Sequence, residues 1–233
     1  MYKRQTFHKN KNKSQEIIKD FKPEFAYVED RSTFEDLKVT SDITFLNGDS
    51  SLKELIEHDD VDVIISAISG FAGLKATYLA ASTGKKILLA NKESIVAGGD
   101  LITARAKKFN SKIIPIDSEH NAIFQCLSGQ RSPDDVQNIT ITASGGPFIG
   151  KKISDLKDVT KDDALNHPNW DMGSKISIDS ATLVNKCLEL IEAKYLFDLE
   201  ESMFDLVIHP QSIVHSVVTY KDGSSICQMS MPD

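Results

Sequence analysis

The sequence predicts an α/β fold, a Rossmann-like, doubly wound parallel sheet followed by an α+β domain. From residue 25 to about 117, short β-branched runs alternate with amphipathic stretches, which is the rhythm of β-α-β units. The run Val61-Asp62-Val63-Ile64-Ile65-Ser66-Ala67-Ile68 is nearly continuous in apolar residues, as a strand covered on both faces should be. Beyond residue 130 this alternation gives way to a different pattern. Residues 1–117 are therefore expected to form one domain and residues 118–233 another.

In order, strands are expected at Phe25–Val28, Ile43–Leu46, Val61–Ile68, Lys86–Ala90 and Lys112–Ile116. Between the second and third, Ser51-Leu52-Lys53-Glu54 reads as a capping box, and Leu52, Leu55 and Ile56 follow helical spacing. A further strand, Ile139–Ala143, ends in Ser144-Gly145-Gly146-Pro147-Phe148 and leads into a lysine- and aspartate-rich stretch ending at Asp163. The segment 167–173 reads as a loop, Ser180–Phe197 as one helix, and Leu206–Ile208 and Ile213–Tyr220 as strands.

Composition narrows the function. With 233 residues, 40% hydrophobic and 26% charged, the chain is long enough to bury a core without disulfide or metal staples. Its three cysteines are scattered and odd in number, so reduced thiols in a cytosol-like compartment are expected. No apolar run reaches the roughly 18 residues of a membrane span. Net charge is −7, but residues 1–22 hold seven Lys/Arg against Glu16 and Asp20, which leaves −12 for the rest. So acidic a body argues against nucleic-acid binding, which needs clustered cations.

Parallel sheets bind ligands beyond the carboxyl ends of their strands. Two successive strand ends here release polar quartets, Asn91-Lys92-Glu93-Ser94 and Asp117-Ser118-Glu119-His120. Asp117 and Glu119 point the same way if the backbone stays extended. Glu189 is the candidate third carboxylate, with Asn185 four residues before it and Lys186 alongside. Such a set reads either as an oxygen-only site for Mg²⁺ or Mn²⁺ or as solvated surface acids. Ser144-Gly145-Gly146 is either a phosphate cradle, with Ser180 near a helix start and Lys186 as countercharge, or a plain turn. Trp170, the single tryptophan, is either part of a lid or an anchor for its loop. The dinucleotide, P-loop and nucleophile-elbow glycine motifs do not occur, so a Rossmann-like sheet here is incomplete or uses no nucleotide.

Seven ordered segments resolve these alternatives. They are Leu89–Ser94, Pro115–Gln125, Ala143–Phe148, His167–Gly173, Asp179–Thr182, Asn185–Glu189 and His209–Ser216, and together they closely resemble the 1-deoxy-D-xylulose 5-phosphate reductoisomerase family. The resemblance implies an NADPH-dependent isomerisation and reduction of a sugar phosphate in isoprenoid biosynthesis, with Mg²⁺, Mn²⁺ or Co²⁺. It assigns the metal to Asp117, Glu119 and Glu189. The substrate phosphate falls to Ser144, Ser180, Asn185 and Lys186 with His167 nearby, and the reacting end to Lys92, Ser118 and Glu119. Lys9, Asn10, Asn91, Glu93, Met172 and Gly173 would face NADPH, and Trp170 and Met172 would ride on a closing flap. His120 and His215 match histidines near the site.

By this reading residues 1–117 are an NADPH-binding domain without its first strand and glycine-rich loop, and 118–233 a truncated catalytic domain. His8 stands where the family usually has glycine, and residues 1–5 match nothing in it. A homodimer is expected of the complete protein, in a bacterial cytoplasm or a plastid-type organelle. Two other functions compete with this one: a catalytically inactive dinucleotide-fold fragment that binds only ligand or metal, and a metal-dependent phosphoesterase.

Overall fold

The computed structural model describes residues 4–39, 43–129, 132–167 and 172–231. In the first half, β1 (Arg4–Phe7), α1 (Lys11–Phe21), β2 (Phe25–Val28), α2 (Arg31–Lys38), β3 (Thr44–Leu46) and α3 (Asp49–Glu57) are followed by β4 (Val63–Ser66), α4 (Leu74–Ala80), β5 (Lys86–Leu89), α5 (Lys92–Phe109) and β6 (Lys112–Pro115). The second half runs α6 (Ser118–Leu127), β7 (Val136–Ala143), α7 (Lys161–Leu165), α8 (Ser174–Ala181), α9 (Val184–Phe197), β8 (Phe204–Ile208), β9 (Val214–Tyr220) and β10 (Ser225–Met229).

The parallel pairing expected of β-α-β units is present, in two halves. Strands β1-β2-β3 form one three-stranded sheet and β4-β5-β6 another, all parallel. The halves share a core in which Tyr27 of β2 meets Leu52, Leu55 and Ile56 of α3, Ile87 and Leu89 of β5, and Ile95 and Ile102 of α5. The third sheet, in the order β10-β9-β7-β8, is mixed, with β7 parallel to β8 and antiparallel to β9. Its core joins Ile139 and Ile141 of β7 to Val218 and Tyr220 of β9, Ile123 of α6 and Ala193 of α9.

Several local expectations are corrected. Arg4 and Gln5 pair with Phe25 and Ala26 in β1, so these two residues belong to the fold. β4 is an edge strand, and Val63 and Ile65, on one face by alternation, stay 45% and 47% exposed; the run is not covered on both faces. Ser51 caps nothing. α3 starts three residues earlier behind Gly48, whose φ of +90° suits glycine, and Asp49 sits in its first turn. The single helix expected over 180–197 is broken at Leu183, which adopts a left-handed φ of +59° and separates α8 from α9. No helix among the described residues is long and apolar enough to cross a membrane. Cys126, Cys187 and Cys227 are all free.

Candidate active site

Three helix starts build the site. Asn91 caps α5, its Oδ1 accepting from Ser94 N at 2.8 Å, so Lys92 is the first helical residue beyond β5. Asp117 precedes α6 with extended backbone (φ −60°, ψ 139°), but its carboxylate caps no backbone N–H and is left for side-chain partners. Glu119 already lies in the first turn of α6, so it meets Asp117 through this strand-to-helix corner and not through an extended run. The break at Leu183 starts α9 anew, and Asn185, Lys186 and Glu189 follow within two turns.

Asp117, Glu119 and Glu189 converge, each offering an oxygen within 4.8 Å of the other two. Two ammonium groups lie among them. Lys92 Nζ donates to Asp117 Oδ2 at 2.7 Å, Glu189 Oε1 at 3.0 Å and Asn185 Oδ1 at 3.1 Å. Lys186 Nζ donates to Glu189 Oε2 at 2.7 Å and to Glu119. Asn185 Nδ2 donates to Glu189, and Ser118 Oγ donates to Glu119 Oε2 at 2.8 Å. Lys92, Lys186 and Glu189 are all buried.

The electrostatics follow from this crowding. Burial works against charge on Lys92 and Lys186, yet the flanking carboxylates raise both. Burial would also lift Asp117, but the His120 hydrogen bond and the Lys92 ammonium hold it well below the usual carboxylate range. Burial, with Glu189 and Asp117 close by, pushes Glu119 up to about 7.

Behind the carboxylates lies His120, fully buried. Its Nδ1 is 3.0 Å from Asp117 Oδ1 and 3.3 Å from Glu192 Oε2, and its Nε2 donates to the Glu189 carbonyl at 2.8 Å. Burial would lower the imidazolium, but Glu192 and Asp117 raise it to about 9. Burial lifts Glu192 itself up to about 7. Sequence reasoning passed over Glu192, although it stands three residues after Glu189 on the same helical face.

The remaining expected residues lie in several places around this cluster. Ser144 Oγ is 3.2 Å from His167 Nε2 and 3.4 Å from Gly146 N. Gly146 (φ +68°) packs so tightly that a Cβ would lie 2.8 Å from the carbonyl of Ser180, which sits at the end of α8 and not at the start of a long helix. Toward the first half, Asn91 Nδ2 donates to Gly70 O at 3.0 Å, and the Glu93 carboxylate pairs with Lys175 of α8 at 3.0 Å. Gly173 caps α8 and Met172 directly precedes it, whereas Trp170 and Pro168–Asp171 lie outside the described residues. His215 is buried on β9, its Nδ1 3.3 Å from Ser230 Oγ, and Ser216 Oγ donates to the Glu119 carbonyl at 3.0 Å. Lys9 and Asn10 line an open cleft of about 400 Å³ at the carboxyl end of β1, with His8, Lys13 and Ser14.

Comparison with known proteins bears directly on this arrangement. The sequence profile for 1-deoxy-D-xylulose 5-phosphate reductoisomerase matches residues 4–99, and the profile for the C-terminal domain of the same enzyme matches residues 113–197. The solved structure of 1-deoxy-D-xylulose 5-phosphate reductoisomerase from Zymomonas mobilis in complex with NADPH superposes with a TM-score of 0.87 at 36% identity, over 100% of this chain and 68% of that one. The chain belongs to the 1-deoxy-D-xylulose 5-phosphate reductoisomerase family. A second reductoisomerase structure, in complex with NADPH, fosmidomycin and magnesium, gives a TM-score of 0.92 at 43% identity over 99% of this chain. Among relatives, the reductoisomerase of Francisella tularensis subsp. novicida is 48% identical over 231 residues and that of Ruthia magnifica 47% identical over 220. The chain spans 60% of the length of the former reductoisomerase and 57% of the latter.

Proposed function

We propose that this chain carries the metal- and substrate-binding centre of a reductoisomerase that converts 1-deoxy-D-xylulose 5-phosphate to 2-C-methyl-D-erythritol 4-phosphate for isoprenoid biosynthesis. The observation that carries the reading is the convergence of Asp117, Glu119 and Glu189 between the buried ammonium groups of Lys92 and Lys186. The carboxylates fit a divalent cation. Their oxygens are hard donors of the kind Mg²⁺ takes, and one from each residue lies within 4.8 Å of the other two. Mg²⁺ and Mn²⁺ suit such a set, and Co²⁺ is a third choice. When bound, the cation supplies Lewis acidity toward neighbouring carbonyl and hydroxyl oxygens, and NADPH supplies the hydride.

The chain's own residues do the rest. Lys92, held charged by its carboxylate neighbours, stabilises negative charge that develops on a substrate oxygen. The Ser118 hydroxyl and Glu119 orient the reacting end of the substrate. Ser144, His167, Ser180, Asn185 and Lys186 bind the phosphate, and that remote contact supplies binding energy for the reacting end. His120, bonded to Asp117 and to the Glu189 carbonyl, holds the centre in place, and His215 adjoins Ser216, whose hydroxyl donates to the Glu119 carbonyl.

Lys9 and Asn10, with Lys13 beside them, suit an anionic part of NADPH, and Gly173 stands at the start of α8. Because the Asn91 side chain is engaged with Ser94 and Gly70, and Glu93 with Lys175, their part in cofactor binding is to shape the crevice. The functional boundary falls at 117/118, since α6 packs on β7 and β9 of the second core. A homodimer in a bacterial cytoplasm completes the proposal.

The test is NADPH oxidation, followed at 340 nm, by the natural protein that carries this chain. Turnover should require both the sugar phosphate and Mn²⁺ or Mg²⁺. Release of inorganic phosphate without nicotinamide oxidation would instead make the centre a phosphoesterase.

A further inference from the structure

Glu192 has no part in the roles above, yet it is 1% exposed and its Oε2 accepts no aligned hydrogen bond. A buried carboxylate is expensive, and an apolar side chain of the same volume would serve stability alone at least as well. A buried polar atom left in this state calls for a reason. The geometry around His120 offers one. Glu192 Oε2 lies 3.3 Å from His120 Nδ1, the same nitrogen that meets Asp117 Oδ1 at 3.0 Å. Nε2 is tied to the Glu189 carbonyl at 2.8 Å, and the ring of Phe197 runs within 16° of parallel to the imidazole. One ring thus touches the segments of two of the three clustered carboxylates, with Glu192 as its other polar neighbour.

We propose that Glu192 is a positioning residue. By holding His120 Nδ1 against Asp117 Oδ1 it fixes that carboxylate with Oδ2 turned toward the other two members of the cluster, so that the three are set for a divalent cation before it arrives. The inference rests on the metal reading above. Outer partners that orient metal ligands in this way change affinity by about 10- to 100-fold when removed.

The experiment measures Mn²⁺ binding by EPR titration of the free ion, with the metal-free melting temperature alongside. The proteins are the natural protein that carries this chain and its Glu192→Leu, Glu192→Gln, His120→Asn and Glu192→Leu/His120→Asn variants. Glu192→Leu should weaken Mn²⁺ binding about 10- to 100-fold without lowering the metal-free melting temperature. Glu192→Gln, whose amide oxygen can still face Nδ1, should recover most of that affinity. In the His120→Asn background Glu192→Leu should cost nothing further, because its effect runs through the ring.

A leucine variant that keeps its Mn²⁺ affinity, or that fails to fold, overturns the proposal and makes Glu192 a structural residue. Equal losses for leucine and glutamine that add to the His120→Asn loss overturn it differently, by making Glu192 a direct ligand. Wild-type protein that binds no Mn²⁺ brings down the metal reading and this inference with it.

Discussion

Gly99 of α5 lies against the ring of Tyr195 of α9, so close that a Cβ at position 99 would fall 2.4 Å from the ring's Cγ. This approach sets the spacing of the two helices that carry Lys92 and Glu189. Gly99→Ala should force α5 and α9 apart and destabilise the fold by about 1–3 kcal/mol, the usual cost of overpacking. Urea denaturation of the two proteins checks this. An unchanged midpoint would mean that the ring swings aside freely.

Glu189 touches both buried ammonium groups and contributes to the carboxylate cluster. Glu189→Gln should reduce Mn²⁺ affinity by more than the about 10- to 100-fold expected of a supporting residue, and abolish metal-dependent turnover. Full activity at saturating Mn²⁺ would remove Glu189 from the ligand set.

The site also ties stability to pH. Glu119 and Glu192 are raised from 4.5 to about 7, so the folded state holds their protons more tightly than the unfolded chain does. Their contribution is complete below about 4.5 and is lost as pH rises through about 7. His120, raised from 6.5 to about 9, contributes fully below about 6.5 and loses that contribution as pH climbs through about 9. Asp117 works in the opposite sense only at acid pH, below its ordinary 3.8. The metal-free melting temperature should therefore fall from pH 5 to pH 9, and the fall should be shallower in Glu192→Leu. Parallel curves for the two proteins would refute this.

Ser144 Oγ faces His167, and Gly146 packs against the backbone of Ser180 too closely to admit a Cβ. A hydrogen bond to a charged group is worth about 1.5–3 kcal/mol, so Ser144→Ala should raise KM for the sugar phosphate about 10- to 100-fold. The change in kcat should be much smaller. Steady-state kinetics in which KM stays put would reduce Ser144-Gly145-Gly146 to a turn.

The carboxylate cluster is legible in the sequence because strand ends in α/β sheets face ligands and helical spacing is fixed, which groups Asp117, Glu119, Asn185, Lys186 and Glu189. What escaped the sequence depends on tertiary context. A left-handed leucine at 183 has no sequence signal of its own, so α8 and α9 read as one helix. β4 looks like a central strand from composition, but only pairing decides that it is an edge. Ser51 has the chemistry of a cap, and Gly48 wins because its positive φ starts the helix earlier. Glu192 escapes for a different reason: a glutamate three residues after Glu189 on one helical face reads as another solvated acid until its neighbours are seen to be buried.

Helix α9 belongs to two cores at once. Tyr195 and Leu196 pack into the cluster built on β5 and α5, while Ala193, Leu190 and Phe197 pack into the one built on β7 and β9. Neither cluster can open without stripping one side of this helix. Local fluctuations in either half are therefore felt by the other, and the two halves should melt as one cooperative unit. The slowest-exchanging amides of both halves should then share a single opening free energy, with those of α9 among them.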